Sequence, residues 1–126
     1  GVDYIGTVYF TRKDFIDKNP DIVQNFLNCL VLGWQRALEN PDEAIKMLVE
    51  YNTEINASKE KDSLIRGKQY FQGENQCLLY SSDERWKSMT ENLIKLGRLR
   101  SFDYGSNINY SYLEIALAGL KDRKHD

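Results

Sequence analysis

The only histidine, His125, stands second from the end of the 126-residue chain. A His-dependent triad or a His-based metal cluster therefore has almost no material to work with, and a chain end is a poor place to hold a catalytic group. Cys29 and Cys77 are the only cysteines, and two cannot build a disulfide framework or, unaided, a zinc site. Cys29 falls inside an apolar helical pattern and reads as a small core residue. Asp and Glu number nineteen, but most fall in helix first turns or on solvent faces, where capping and solubility explain them. No pair stands out as an acid and a base. Neither GxxxxGK nor GxGxxG occurs, so no phosphate loop is expected. These residues point to a protein with no catalytic group, no metal and no cofactor.

What remains is aromatic. Of the eight tyrosines, Tyr4 and Tyr9 could line a ligand pocket, because a tyrosine offers a flat apolar face with a polar handle. Packing beneath helices is the commoner fate of such a residue. Trp34 and Trp86 fall at helical core spacing and are assigned to packing.

Length and charge narrow the class. With 41% hydrophobic and 29% charged residues, the chain can form one domain, residues 1–126, with a modest core. Seventeen Lys and Arg against nineteen Asp and Glu are interleaved along it, so no basic patch points to nucleic acid or an anionic membrane. The longest apolar run, Cys29 to Trp34, is far below the roughly 20 residues that span a bilayer. The chain opens at Gly1-Val2-Asp3-Tyr4, which reads as the inside of a strand, so a piece of a longer protein is expected.

The elements that would position these residues are one strand and a series of helices. Residues 1–10 read as a short amino-terminal strand, best marked by Tyr4 to Phe10 (YIGTVYF), rich in aromatic and β-branched residues. Thr11 to Asp14 fits a capping box, with Phe10 and Phe15 placed as a hydrophobic staple. Asn19-Pro20-Asp21 predicts the start of a long helix to about Glu39, with Val23, Phe26, Leu27, Leu30, Trp34, Ala37 and Leu38 as its buried face. Asn40-Pro41-Asp42 repeats that signature, so Pro41 opens a new helix instead of kinking the old one at a cost of about 3 kcal/mol. Ala44, Ile45, Leu48 and Tyr51 form its apolar face, and it ends near Asn52.

Ser58 can cap a helix to about Gln72, weakened by Gly67, and Gly73 to Tyr80 reads as a connection containing buried residues. Ser81 to Glu84 is another capping box, before a helix with Trp86, Met89, Leu93 and Leu96 on one face and Gly97 as its C-cap. The helical region thus covers 11–97. In 98–126, a loop over Arg98 to Asn107 leads to a last helix, Tyr110 to Leu120, and a frayed charged tail.

The ordered set of motifs resembles a known family. "YIGTVYFTRKDFIDKNPDIVQNFLNCLVLGWQRALENPDEAIKMLVEYN" and the later "DERWKSMTENLIKLG" are similar, in order, to the carboxy-terminal part of solute-binding proteins of the NMT1/THI5-like group, whose ligands include thiamine-precursor pyrimidines. The resemblance implies a fragment of a two-lobed α/β periplasmic-binding-protein fold that closes on a small solute for an ABC importer, periplasmic or at the cell surface. Its implied partners are the small-molecule ligand and the importer's membrane subunits. The strand would run near the hinge, making Tyr4, Gly6 and Tyr9 the ligand-binding positions. Two further readings stay open: an extracytoplasmic sensor of a kinase or diguanylate cyclase, and a helical interaction module. The eukaryotic relatives that make the thiamine pyrimidine carry a cysteine cluster that this chain lacks, so no enzyme is expected. A lone strand leaves an unpaired edge, so a homodimer of the fragment is expected.

Overall fold

A computed structural model describes residues 4–72 and 77–122. Among them the chain forms seven helices: α1 (Lys13–Lys18), α2 (Pro20–Glu39), α3 (Pro41–Tyr51), α4 (Ala57–Phe71), α5 (Asp83–Lys95), α6 (Tyr104–Asn107) and α7 (Ser111–Asp122). Of the tail expected to fray, Lys121 and Asp122 instead complete the last turn of α7, and residues 123–126, His125 among them, lie outside the described residues.

The amino-terminal strand does not form. Tyr4 to Phe10 is non-helical and has no ladder partner among the described residues. Its composition favours β backbone angles, but a strand is a property of a pair, and no second strand is present there to supply it. What holds the segment is side-chain chemistry: the Ile5 N–H points at Met89 Sδ at 3.4 Å.

Both proline corners form as the sequence predicts, though by different means. Asn19 and Asn40 precede Pro20 and Pro41, and neither side chain makes a capping hydrogen bond to the helix it precedes. Asn19 instead faces backwards. Its N–H bonds Phe15 O at 2.9 Å and its side-chain amide bonds the same oxygen at 3.0 Å, closing the end of α1. The helix starts rest on the fixed proline φ and on Asp21, Asp42 and Glu43 in the first turns.

The first capping box is also replaced. Arg12, not Thr11, is the N-cap of α1, and its guanidinium takes both carboxylate oxygens of Asp14 at 2.9 Å. Asp14 is thereby diverted from the reach-back the box requires. Phe10 is 91% exposed, so the staple is not closed.

Farther along, the caps fall near their expected places. Asn56, two residues before the expected Ser58, accepts from the Lys59 N–H at 2.9 Å to start α4. Ser82, one residue after the expected Ser81, accepts from the Arg85 N–H at 3.3 Å to start α5. Gly97 at φ +66° ends α5 in a Schellman arrangement: Gly97 N–H bonds Ile94 O at 2.9 Å and Arg98 N–H bonds Leu93 O at 2.8 Å. The predicted loop over 98–107 contains the short α6.

The core lies where α2 crosses α7 and consists of Val31, Leu38, Leu78, Leu113 and Ala116, flanked by Leu27, Trp34, Leu117 and Leu120. The expected face of α2 forms in part: Leu38 is buried and Leu27 and Trp34 pack on the core, but Val31, not among the expected residues, is the fully buried one, whereas Phe26 is 53% exposed and Cys29 is exposed. In α3 only Ile45 is buried; Leu48 and Tyr51 face out, Tyr51 at 91% exposure. Helices α3 and α4 lie against each other, joined at the surface by Lys61 and Asp42 at 2.5 Å. A satellite cluster anchors α5, where Trp86 Nε1–H donates to Tyr110 OH at 2.7 Å and that hydroxyl donates to Ser81 O at 2.6 Å.

Candidate functional site

The three sequence-predicted positions meet in one cavity of about 500 Å³. Its first wall is the amino-terminal segment, which contributes Tyr4, Ile5, Gly6, Thr7 and Tyr9. Trp34 of α2 and Tyr70 and Phe71 at the end of α4 form the second, and Leu79 to Ser81 with Arg85 of α5 complete it.

Each wall has a local cause. The Trp34 and Phe71 rings lie 4.3 Å apart at 33°, so the last turn of α4 is tied to the middle of α2. Phe71 reaches this position because Gly67 has no side chain: a Cβ there would stand 2.7 Å from the Phe71 ring. Trp34 Nε1–H donates to Tyr9 OH at 3.3 Å, and Tyr9 also sits edge-on to Phe26 with centroids 6.1 Å apart. The unpaired segment is thus pinned by its aromatic side chains. Leu79 adopts φ +62°, a region leucine seldom occupies, with its N–H on Phe71 O at 3.2 Å. Strained backbone of this kind tends to gather at binding sites. An added Cβ at Gly6 meets nothing within 4 Å, so packing within the chain does not demand a glycine there.

The cavity suits binding by stacking. Aromatic faces dominate it, phenol hydroxyls supply polar contacts, and Arg85 brings a guanidinium. Among the described lining residues there is no carboxylate, imidazole or thiol. No group of three or more His, Cys, Asp or Glu that could hold a metal occurs among the described residues. Asp103, whose pKa is lowered, lies on the surface at α6, where the Ser106 hydroxyl and the amides of Ser106 and Gly105 stabilise its ionised form.

Sequence reasoning missed Thr7, Tyr70, Phe71, Leu79, Tyr80, Ser81 and Arg85, and gave Trp34 to packing alone. Trp34 does both, flanking the core and lining the cavity. The adjacent aromatic pair Tyr70-Phe71, with Tyr70 at 74% exposure, was the available signal. A second hollow of about 540 Å³ lies between α2, α4 and α7; none of the predicted site residues reaches it.

Residues 1–44 match the family described as NMT1/THI5 like. No curated protein and no solved structure matches the chain. The NMT1/THI5-like stretch takes in the amino-terminal segment, α1, α2 and the Pro41 corner, and with them Tyr4, Gly6, Tyr9 and Trp34. It ends before α4 and α5, so the resemblance of Asp83 to Gly97 to the same family rests on the sequence motifs alone. No described helix is long and apolar enough to cross a membrane.

Proposed function

We propose that this chain is the carboxy-terminal part of an extracytoplasmic solute-binding protein that captures a small, flat solute and delivers it to the membrane subunits of an ABC importer. The observation that carries the reading is the convergence of Tyr4, Gly6 and Tyr9 on one aromatic cavity, within the stretch similar to the NMT1/THI5-like group. Capture of this kind needs no covalent chemistry. A planar heterocycle of the thiamine-pyrimidine type stacks on tyrosine and tryptophan faces, its polar edge meets the phenol hydroxyls, and closure of a second lobe over it excludes water.

Fluorescence titration of the parent protein with thiamine-precursor pyrimidines tests this reading. Saturable quenching is expected, and Tyr4→Ala or Tyr9→Ala is expected to weaken it roughly 3- to 10-fold, the loss of one ring contact of about 0.5–1.5 kcal/mol. The 126-residue chain alone is expected to bind weakly, since the amino-terminal lobe would supply most contacts. Full affinity in both tyrosine variants would place the solute elsewhere.

A further inference from the structure

The outer face of α2 carries a surface that meets the solute cavity only at Trp34. From Ile22 to Gln35 fourteen consecutive residues bear no charge, with Asp21 at one end of the run and Arg36 at the other. Along this helix Ile22 is 57% and Phe26 53% exposed. Cys29 and Gly33 are exposed as well, and Leu30 and Ala37 are half-buried. Phe26, Cys29, Leu30, Gly33, Trp34 and Ala37 line a shallow apolar groove. Ile22, Phe26, Cys29 and Gly33 follow four- and three-residue steps, which places them on one stripe of the helix. At 1.5 Å per residue the stripe from Ile22 to Ala37 is about 22 Å long.

We propose that this stripe packs against the same stripe of a second copy of the chain, antiparallel, about a two-fold axis between Cys29 and Leu30. Three features of the stripe support that occupant over an unrelated one. The first is shape. In this register the bulky Phe26 of one copy faces Gly33 of the other, where a Cβ would have nothing within 4 Å, and Ile22 faces the small Ala37. A knob and a vacancy placed symmetrically about one point are what an isologous contact needs. The second is charge. Reversing the second helix sets the two helix dipoles antiparallel, which is favourable, and the uncharged run from Ile22 to Gln35 leaves no charge to be buried between the copies. The third is continuity: Phe10 and Phe15 lie with Ile22 and Phe26 around the adjoining hollow, so apolar surface extends past the helix itself. The contact is still smaller than the roughly 800 Å² per partner of a standard stable interface, so the dimer is weak and concentration-dependent.

The register makes a covalent prediction. Two antiparallel helices about 8–9 Å apart with Cys29 beside the axis bring the two Cys29 Cα atoms to about 6–7 Å, within disulfide reach. Sedimentation velocity of the 126-residue chain over a 100-fold concentration range is expected to show a monomer–dimer equilibrium. Copper-phenanthroline oxidation of the Cys77→Ser variant is expected to yield a covalent dimer. A Cβ at Gly33 meets nothing within 4 Å in its own chain and leucine is the better helix former, so Gly33→Leu is expected to keep or raise the thermal midpoint while shifting the equilibrium to monomer at least 10-fold and abolishing the cross-link. A dimer that survives Gly33→Leu overturns the proposal. So does a monomer at every concentration with Cys29 uncross-linked.

Discussion

The indole Nε1–H of Trp34 donates to the phenol oxygen of Tyr9 at 3.3 Å. Through that contact the middle of α2 holds a segment that has no ladder of its own. Tyr9 is 49% exposed, so water can replace the partner, and Tyr9→Phe is expected to cost no more than about 1 kcal/mol. Tyr9→Ala also removes the edge contact with Phe26, a further 0.5–1.5 kcal/mol or so. In a Trp86→Phe background, chemical denaturation followed by Trp34 emission separates the two effects. Equal losses in both variants would show that the Phe26 contact contributes nothing.

Gly67 lies inside α4, where replacement by alanine ordinarily stabilises a helix by about 1 kcal/mol. Here the new Cβ would stand 2.7 Å from the Phe71 ring, so the ring must leave its position against Trp34. The lost ring contact is of the same size as the propensity gain. Gly67→Ala is therefore expected to leave the thermal midpoint flat or lowered, with altered Trp34 emission. A midpoint raised by several degrees with unchanged emission would show that Phe71 moves aside at no cost.

How far periodicity could be read is clearest on α2. Its limits follow from proline chemistry and were legible, because Pro20 and Pro41 fix φ locally. Its buried face was legible only in part: Leu27, Trp34 and Leu38 were expected there, but Val31 was not, because a helix with apolar residues around most of its circumference offers several stripes of similar strength. The core takes Leu27, Val31, Trp34 and Leu38, facing Leu113 and Ala116 of α7, one position away from the stripe that holds Phe26 and Leu30. Val31→Ala is expected to cost about 2 kcal/mol through the lost methyl groups and the cavity left behind. Phe26→Ala is expected to cost clearly less, since the ring is already half in water. Urea denaturation midpoints compare the two directly, and the reverse order would mean that Phe26, not Val31, is the buried member.

The candidate site was reachable from sequence only in part. Residue type marked Tyr4 and Tyr9, and Gly6 joined them only through the family resemblance that places this segment near a hinge. Tyr70, Phe71, Leu79, Tyr80 and Arg85 join them only through the fold: the glycine that admits the Phe71 ring and the turn at Leu79 act over distances that a periodicity window does not see. A strand was expected at Tyr4 to Phe10 for the same reason in reverse. Local preference was visible, but the pairing partner that makes a strand is non-local.

Asp103 gives a pH dependence with a definite sign. Its carboxylate accepts from Ser106 Oγ at 2.5 Å and from the Gly105 N–H at 3.1 Å, and the Ser106 hydroxyl is the largest cause of its lowered pKa. A carboxylate whose folded-state pKa lies below its unfolded value contributes stability that is full above the ordinary aspartate value near pH 4. That contribution is lost as pH falls through the lowered value. The group is fully exposed, so the consequence is local: α6 loses its cap on acidification while α2 and α7 persist. The Gly105 amide resonance in an NMR pH titration is expected to report a midpoint below the usual aspartate range. Ser106→Ala is expected to move that midpoint upward, toward the ordinary value. An unchanged midpoint in Ser106→Ala would show that the backbone amides alone hold the charge.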